Sequence, residues 1–117
     1  MWIFLNNAYL SIVGHREQPD MLLVRARNLG DIEAVFPKAV VSTTPHADYL
    51  FRAVIHRAEV KEVIAAEIFD IDYDNFKNSI VDDRYHDACM NVWVTMNDYQ
   101  RAETYQRSRK HHAKKKK

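Results

Sequence analysis

The sequence predicts an α+β fold: an antiparallel sheet of about five strands in two hairpins, helices packed on one face, and a long C-terminal helix. Three observations predict it. Apolar and polar residues alternate with period two in the first half of the chain; apolar residues recur three and four apart in the second; and turn-forming residues punctuate the short segments of the first half. The length agrees, since 117 residues suit one compact domain. With 47% hydrophobic and 28% charged residues, the chain has the composition of a globular protein and not of a disordered one.

Residues 2–5 form a short apolar run, Asn6-Asn7 supplies turn chemistry, and residues 8–13 resume the strand pattern, so a hairpin is expected. A loop with Gly14 and Pro19 leads to a third strand over 21–27, where Leu22, Val24 and Ala26 alternate with Leu23, Arg25 and Arg27. A short helix is expected over 31–36, stopped by Pro37. Residues 39–43 and 48–56 read as a second hairpin. In the latter segment Tyr49, Phe51, Ala53 and Ile55 fall on one side, and Leu50, Arg52, Val54 and His56 on the other.

After Arg57 the period changes. Val60, Val63, Ile64 and Ile68 make the core-facing stripe of a helix over 58–69. Asp72 or Asp74 caps a short helix near 76–80, and Asp82 or Asp83 caps the longest helix, which runs to about Gln106. The nearest familiar architecture is a ferredoxin-like relative, from which the extra N-terminal hairpin departs. The domain is expected to end at residue 106, with 107–117 as a flexible basic tail.

Net charge hides a segregation. The formal charge is +1, but from Arg101 onward eight basic residues face Glu103 alone, giving +7, while residues 1–100 carry −6. An acidic body with a basic end can reach nucleic acid or an acidic partner through that end, with Arg107, Arg109 and Lys110 as its first contacts. Lysines without interleaved aromatics attract phosphate but read nothing. The single cysteine, Cys89, excludes a disulfide framework within the chain and any cysteine-built zinc or iron–sulfur site. No apolar run approaches the ~20 residues that cross a bilayer. The opening seven residues show neither a basic stretch nor a small-residue cleavage pattern. A cytoplasmic protein without a membrane partner is expected.

Five stretches carry a likeness. Met1-Trp2-Ile3-Phe4, Leu23-Val24-Arg25-Ala26-Arg27, Asp48-Tyr49 ahead of a strand with Arg52, Tyr73-Asp74-Asn75-Phe76-Lys77, and Tyr85 with Val92-Trp93 together resemble a family of small bacterial proteins with no established function. The resemblance covers about residues 1–100 and implies no functional residue.

Catalytic constellations stay incomplete. Asp70-Ile71-Asp72-Tyr73-Asp74-Asn75 begins like a calcium loop, because alternate carboxylates can converge on one hard cation. Asn75 stands where the loop needs glycine, and Val81 where it needs a bidentate glutamate, so helix caps and turns explain these residues better. A metal-dependent hydrolase would gather the same aspartates with Asp82, Asp83, His86 and Asp87. Negative charge in the first turns of a helix accounts for most of that set without a metal. Cys89 falls on the apolar side of its helix as a small hydrophobe. No glycine elbow surrounds a serine and no phosphate-cradling loop can be built, so no catalytic residue, metal or cofactor is assigned.

The sheet offers more. Arg25 and Arg27 share one face of the third strand, and Arg52 and His56 share one face of the last. With helices on the opposite side, these four stand together on an open surface that Tyr9 and Ser11 join. Guanidinium beside an aromatic ring on an open sheet suits phosphate or carboxylate recognition. The expected function is a non-enzymatic binding or regulatory protein, an inhibitor or complex subunit, whose partner is a protein because the body is acidic. Nucleic-acid binding through the sheet arginines and the basic end is the alternative, and a hydrolase comes third. Trp93, Tyr99 and Tyr105 on the long helix suit a core or a protein interface, including a homodimer.

Overall fold

The computed structural model describes residues 1–115. Its strands are β1 (Trp2–Phe4), β2 (Tyr9–Gly14), β3 (Met21–Ala26), β4 (Ser42–Thr43) and β5 (Phe51–His56), and its helices are α1 (Asp31–Val35), α2 (Arg57–Phe69) and α3 (Asp83–Lys115). A single 3-10 turn, Lys77–Ser79, precedes α3. The five strands form one sheet in the order β1-β2-β3-β5-β4, with every neighbour antiparallel. This is the α+β sheet that the period-two pattern predicts, with both hairpins in place.

Strand order explains the ferredoxin-like likeness and the departure from it. Because β3 and β4 are each antiparallel to β5, they run parallel to one another with β5 between them. The segment β3-α1-β4 is therefore a split β-α-β unit, continued by β5 and α2. The place on the other side of β3, which the last strand of a ferredoxin-like chain would fill, is taken by β2 from the N-terminal hairpin.

Packing divides the chain into two compact units, Met1–Val81 and the α3 segment from Asp82 onward. In the first unit the alternation sorts side chains to two faces. Leu10, Ile12, Val24, Ala26, Ala53 and Ile55 join Ile32 and Val35 from α1, Phe36 just after it and Val60 from α2 in one buried core. Both helices of this unit therefore lie on the same side of its sheet. Gly30, at φ +92°, sits immediately before α1 in the left-handed region that a side chain would strain. Helix α2 follows β5 without a loop: His56 Nδ1 accepts from the Ala58 amide, and Arg57 donates to the Pro19 carbonyl at 3.1 and 3.2 Å.

Several boundaries differ from expectation for local reasons. Strand β4 has two residues instead of five, because Ala39 turns back to donate to the Phe36 carbonyl while Ala39 and Val41 pack against the core from a loop. Residues 48–50 are not strand: Asp48 Oδ1 accepts the Tyr49 amide at 2.9 Å, and Thr44 donates to the Leu50 carbonyl, closing a loop. The predicted short helix shrinks to the 3-10 turn, capped by Asn75, whose Oδ1 accepts from the Asn78 amide, and not by Asp72 or Asp74.

In the second unit, Asp82 caps α3 through the Tyr85 amide at 2.8 Å. The helix passes Gln106 because no glycine or proline follows to stop it, so Arg107, Arg109 and Lys110 are helical. Lys116 and Lys117 lie outside the described residues. Among the described residues no helix is long and apolar enough to cross a membrane.

Leu10 is fully buried at the centre of the core. Leu10→Ala is expected to destabilise the first unit by about 2–5 kcal/mol in denaturant titration. Val40→Ala, at a position 89% exposed, should stay within about 0.5 kcal/mol of wild type.

Candidate binding face of the sheet

The side of the sheet away from α1 and α2 carries the polar set. Register places Trp2, Ser11, Arg25, Arg52 and Ser42 side by side in one row across all five strands. Phe4 and Tyr9 pair in the adjacent row, their rings stacked at 4.7 Å between centroids. In the opposite direction along the strands come Val13, Leu23 and Val54. Trp2 is 70% exposed and Val54 47%.

Tyr49 organises the middle of this face. Two guanidinium groups lie over its ring, with Arg25 Cζ at 4.5 Å and Arg27 Cζ at 4.2 Å from the ring centroid. Contacts of this kind contribute about 0.5–1 kcal/mol each when exposed and about 2 when desolvated. Arg25 also donates to Ser11 Oγ at 2.7 Å, and Arg27 donates to the Asp48 carbonyl at 2.7 Å. Arg52 reaches the Tyr49 carbonyl at 3.4 Å and the Asp48 carboxylate at 3.5 Å. That ion pair is largely solvated, with side chains 28% and 68% exposed, and is worth at most about 1 kcal/mol.

Of these contacts only that of Arg52 is to a carboxylate, while Arg25 meets a hydroxyl and Arg27 a backbone carbonyl, so positive charge is in surplus around Tyr49. Arg25 Nε is buried without a hydrogen-bond partner among the described residues, which costs about 1–3 kcal/mol. Strand register, the Ser11 hydroxyl and the Tyr49 ring together hold Arg25 in this place.

The two tyrosine hydroxyls lie 3.3 Å apart. Burial alone would raise the Tyr49 phenol, but hydrogen bonds from Ser11 and Tyr9, followed by the charges of Arg27 and Arg25, outweigh it and lower its pKa. Tyr9 moves the other way, to about 12, through burial first and then through its hydrogen bond and repulsion with Tyr49. The pair therefore favours Tyr9 as donor and Tyr49 as acceptor.

Tyr9, Arg25, Arg27 and Arg52 come together as the sequence predicts, and Ser11 joins them buried beneath the arginines. His56 shares the face but stands four residues along β5 from Arg52, roughly 13 Å away at strand rise. There it caps α2 and lies 3.5 Å from Asp20. Tyr49 is the residue that alternation misplaces. It was expected beside Phe51 on the helix side, and the loop at 48–50 turns it to the arginine side instead. Asp48 directly before it, able to accept its amide, is the signal that marks that turn.

The other sequence candidates take structural places. Among the described residues no three histidine, cysteine, aspartate or glutamate side chains converge as metal ligands. Asp82 is a helix cap, and burial pushes the Cys89 thiol up against the opposing hydrogen bond of Tyr85. On α3, Arg109 lies 5.8 Å over the Tyr105 ring. Comparison with protein families, curated proteins and solved structures finds no match.

The tyrosine pair has a pH signature. Ultraviolet or NMR titration should find Tyr49 ionising below the usual value of 10 and Tyr9 near 12. Since the folded pKa of Tyr9 is raised, its share of stability is present below pH 10 and is lost as pH rises through about 12. Arg27→Ala should move Tyr49 upward; an unchanged Tyr49 titration would show that the Arg27 charge does not act on it.

Proposed function

We propose that the protein works by binding another protein in the cytoplasm through the sheet face of its first unit that lies opposite α1 and α2, as an inhibitor or complex subunit, without chemistry of its own. One observation carries this reading: Trp2, Tyr9, Arg25 and Arg52 lie on one face with Val54 beside them, and the buried Tyr49 ring orders the arginines from within. Tryptophan, tyrosine and arginine are the residues that dominate binding energy at protein interfaces, because each combines large apolar contact with a directed polar group. Pre-ordering matters as well. Stacking on Tyr49 fixes Arg25 and Arg27 before a partner arrives, so little side-chain entropy is lost on docking.

Charge favours a protein partner with an acidic element. Three guanidinium groups against Asp48 attract a carboxylate locally, and arginine forks match carboxylates in two-pronged geometry. The −6 charge over residues 1–100 opposes a long run of phosphates. A nucleic-acid reading has its own support in the basic residues Arg101, Arg107, Arg109 and Lys110 along α3.

The test compares wild type with Trp2→Ala and Arg52→Glu as baits for quantitative capture from the source cells, beside a nucleic-acid titration at low and moderate salt. A protein retained by wild type and reduced at least tenfold by both variants is the expected result. Capture indifferent to both variants would remove the sheet face from binding. Nucleic-acid affinity that survives moderate salt and drops with Arg52→Glu would replace the protein reading with the nucleic-acid one.

A further inference from the structure

Helix α3 carries an apolar side that is largely exposed along its length. From Asn91 to His111 every side chain is exposed except Asn97 and Glu103, which are half-buried. Within that stretch Val92, Trp93, Met96 and Tyr99 fall on one side at helical spacing, and they are 40%, 50%, 55% and 61% exposed. A helix of 33 residues is about 50 Å long, and helices in water owe most of their stability to packing of an apolar side.

Charge along the helix is as uneven as hydrophobicity. The half from Asp82 to Gln100 holds Asp82, Asp83, Asp87 and Asp98 against Arg84, a net of −3. The half from Arg101 to Lys115 holds six basic residues against Glu103, a net of +5. A second copy laid parallel would set like halves together, whereas a copy laid antiparallel sets each acidic half against a basic one, twice. The apolar side fixes the register. A two-fold axis beside Met96 brings Trp93 of each copy opposite Tyr99 of the other, and it carries Asp82 and Asp83 to the level of Lys110 and Arg109.

We propose that α3 pairs antiparallel with the α3 of a second copy, about a two-fold axis at Met96. The apolar residues flanking that axis close the centre, and the opposite charges of the two halves select orientation and exclude the parallel pair. This pairing does not rest on what the sheet face binds.

Mass and orientation test the proposal separately. Sedimentation of the full chain at tens of micromolar is expected to give a dimer that weakens as salt rises, and Met96→Glu to give a monomer with unchanged circular dichroism from the sheet. A monomeric wild type would overturn the pairing. For orientation, in a Cys89→Ala background, Met96→Cys should form an inter-chain disulfide at least tenfold faster than Lys110→Cys, because only residue 96 meets its own copy at the axis. Equal cross-linking at both positions would mean a parallel pair and would overturn the antiparallel assignment.

Discussion

The first unit depends on the pleat of one strand. β3 is paired on both edges, with β2 and with β5, and its residues alternate without a break. Leu22, Val24 and Ala26 turn toward α1 and α2, while Leu23 and Arg25 turn the other way. A shift of one residue in either pairing would exchange those sets and bury Arg25 in the core, at several kcal/mol for the buried charge, a large part of a typical domain's margin of about 5–15 kcal/mol. Burial of Val24 therefore fixes not only the fold but also the place of every polar group on the opposite face. The row of Ser11, Arg25 and Arg52 across β2, β3 and β5 is a consequence of core packing before it is anything else.

That dependence explains what was legible. Period-two alternation locates Arg25 and Arg52, and antiparallel order puts them side by side, because both strands must turn their apolar residues to the same helices. Tyr49 was not legible for the same physical reason. Alternation speaks only for residues inside a ladder, and Asp48 removes Tyr49 from it by capturing its amide. Once outside the strand, the ring goes where two guanidinium groups and a hydroxyl can satisfy it. His56 marks a different limit: periodicity gives the face but not the distance along it, and four residues of strand separate His56 from the arginines. The end of α3 was misjudged because a change in charge at residue 107 resembles a boundary, although lysine and arginine are good helix formers.

The Arg25–Tyr49–Arg27 stack has two consequences that need not be separated. It pins the 44–50 loop to the sheet, which is a structural role, and it holds two cations close together on a surface, which is a recognition role. The buried, unpaired Nε of Arg25 bears on the balance between them. A stack serving stability alone gains nothing from leaving a donor unsatisfied. A stack that must keep guanidinium groups at the surface tolerates that cost.

Two surfaces with different chemistry give the chain different ways to be specific. The sheet face is compact, pre-ordered and locally cationic, so its selectivity lies in shape and in a small number of directed contacts. Helix α3 is long and graded in charge, so its selectivity lies in direction. When α3 joins two copies, each assembled particle presents two sheet faces. A partner that is itself repeated or dimeric then binds its second site at the effective concentration set by the first, which strengthens attachment without any new contact. A modest interface of a few aromatic and arginine residues is sufficient in that setting, because the tightness of the whole does not have to come from one face.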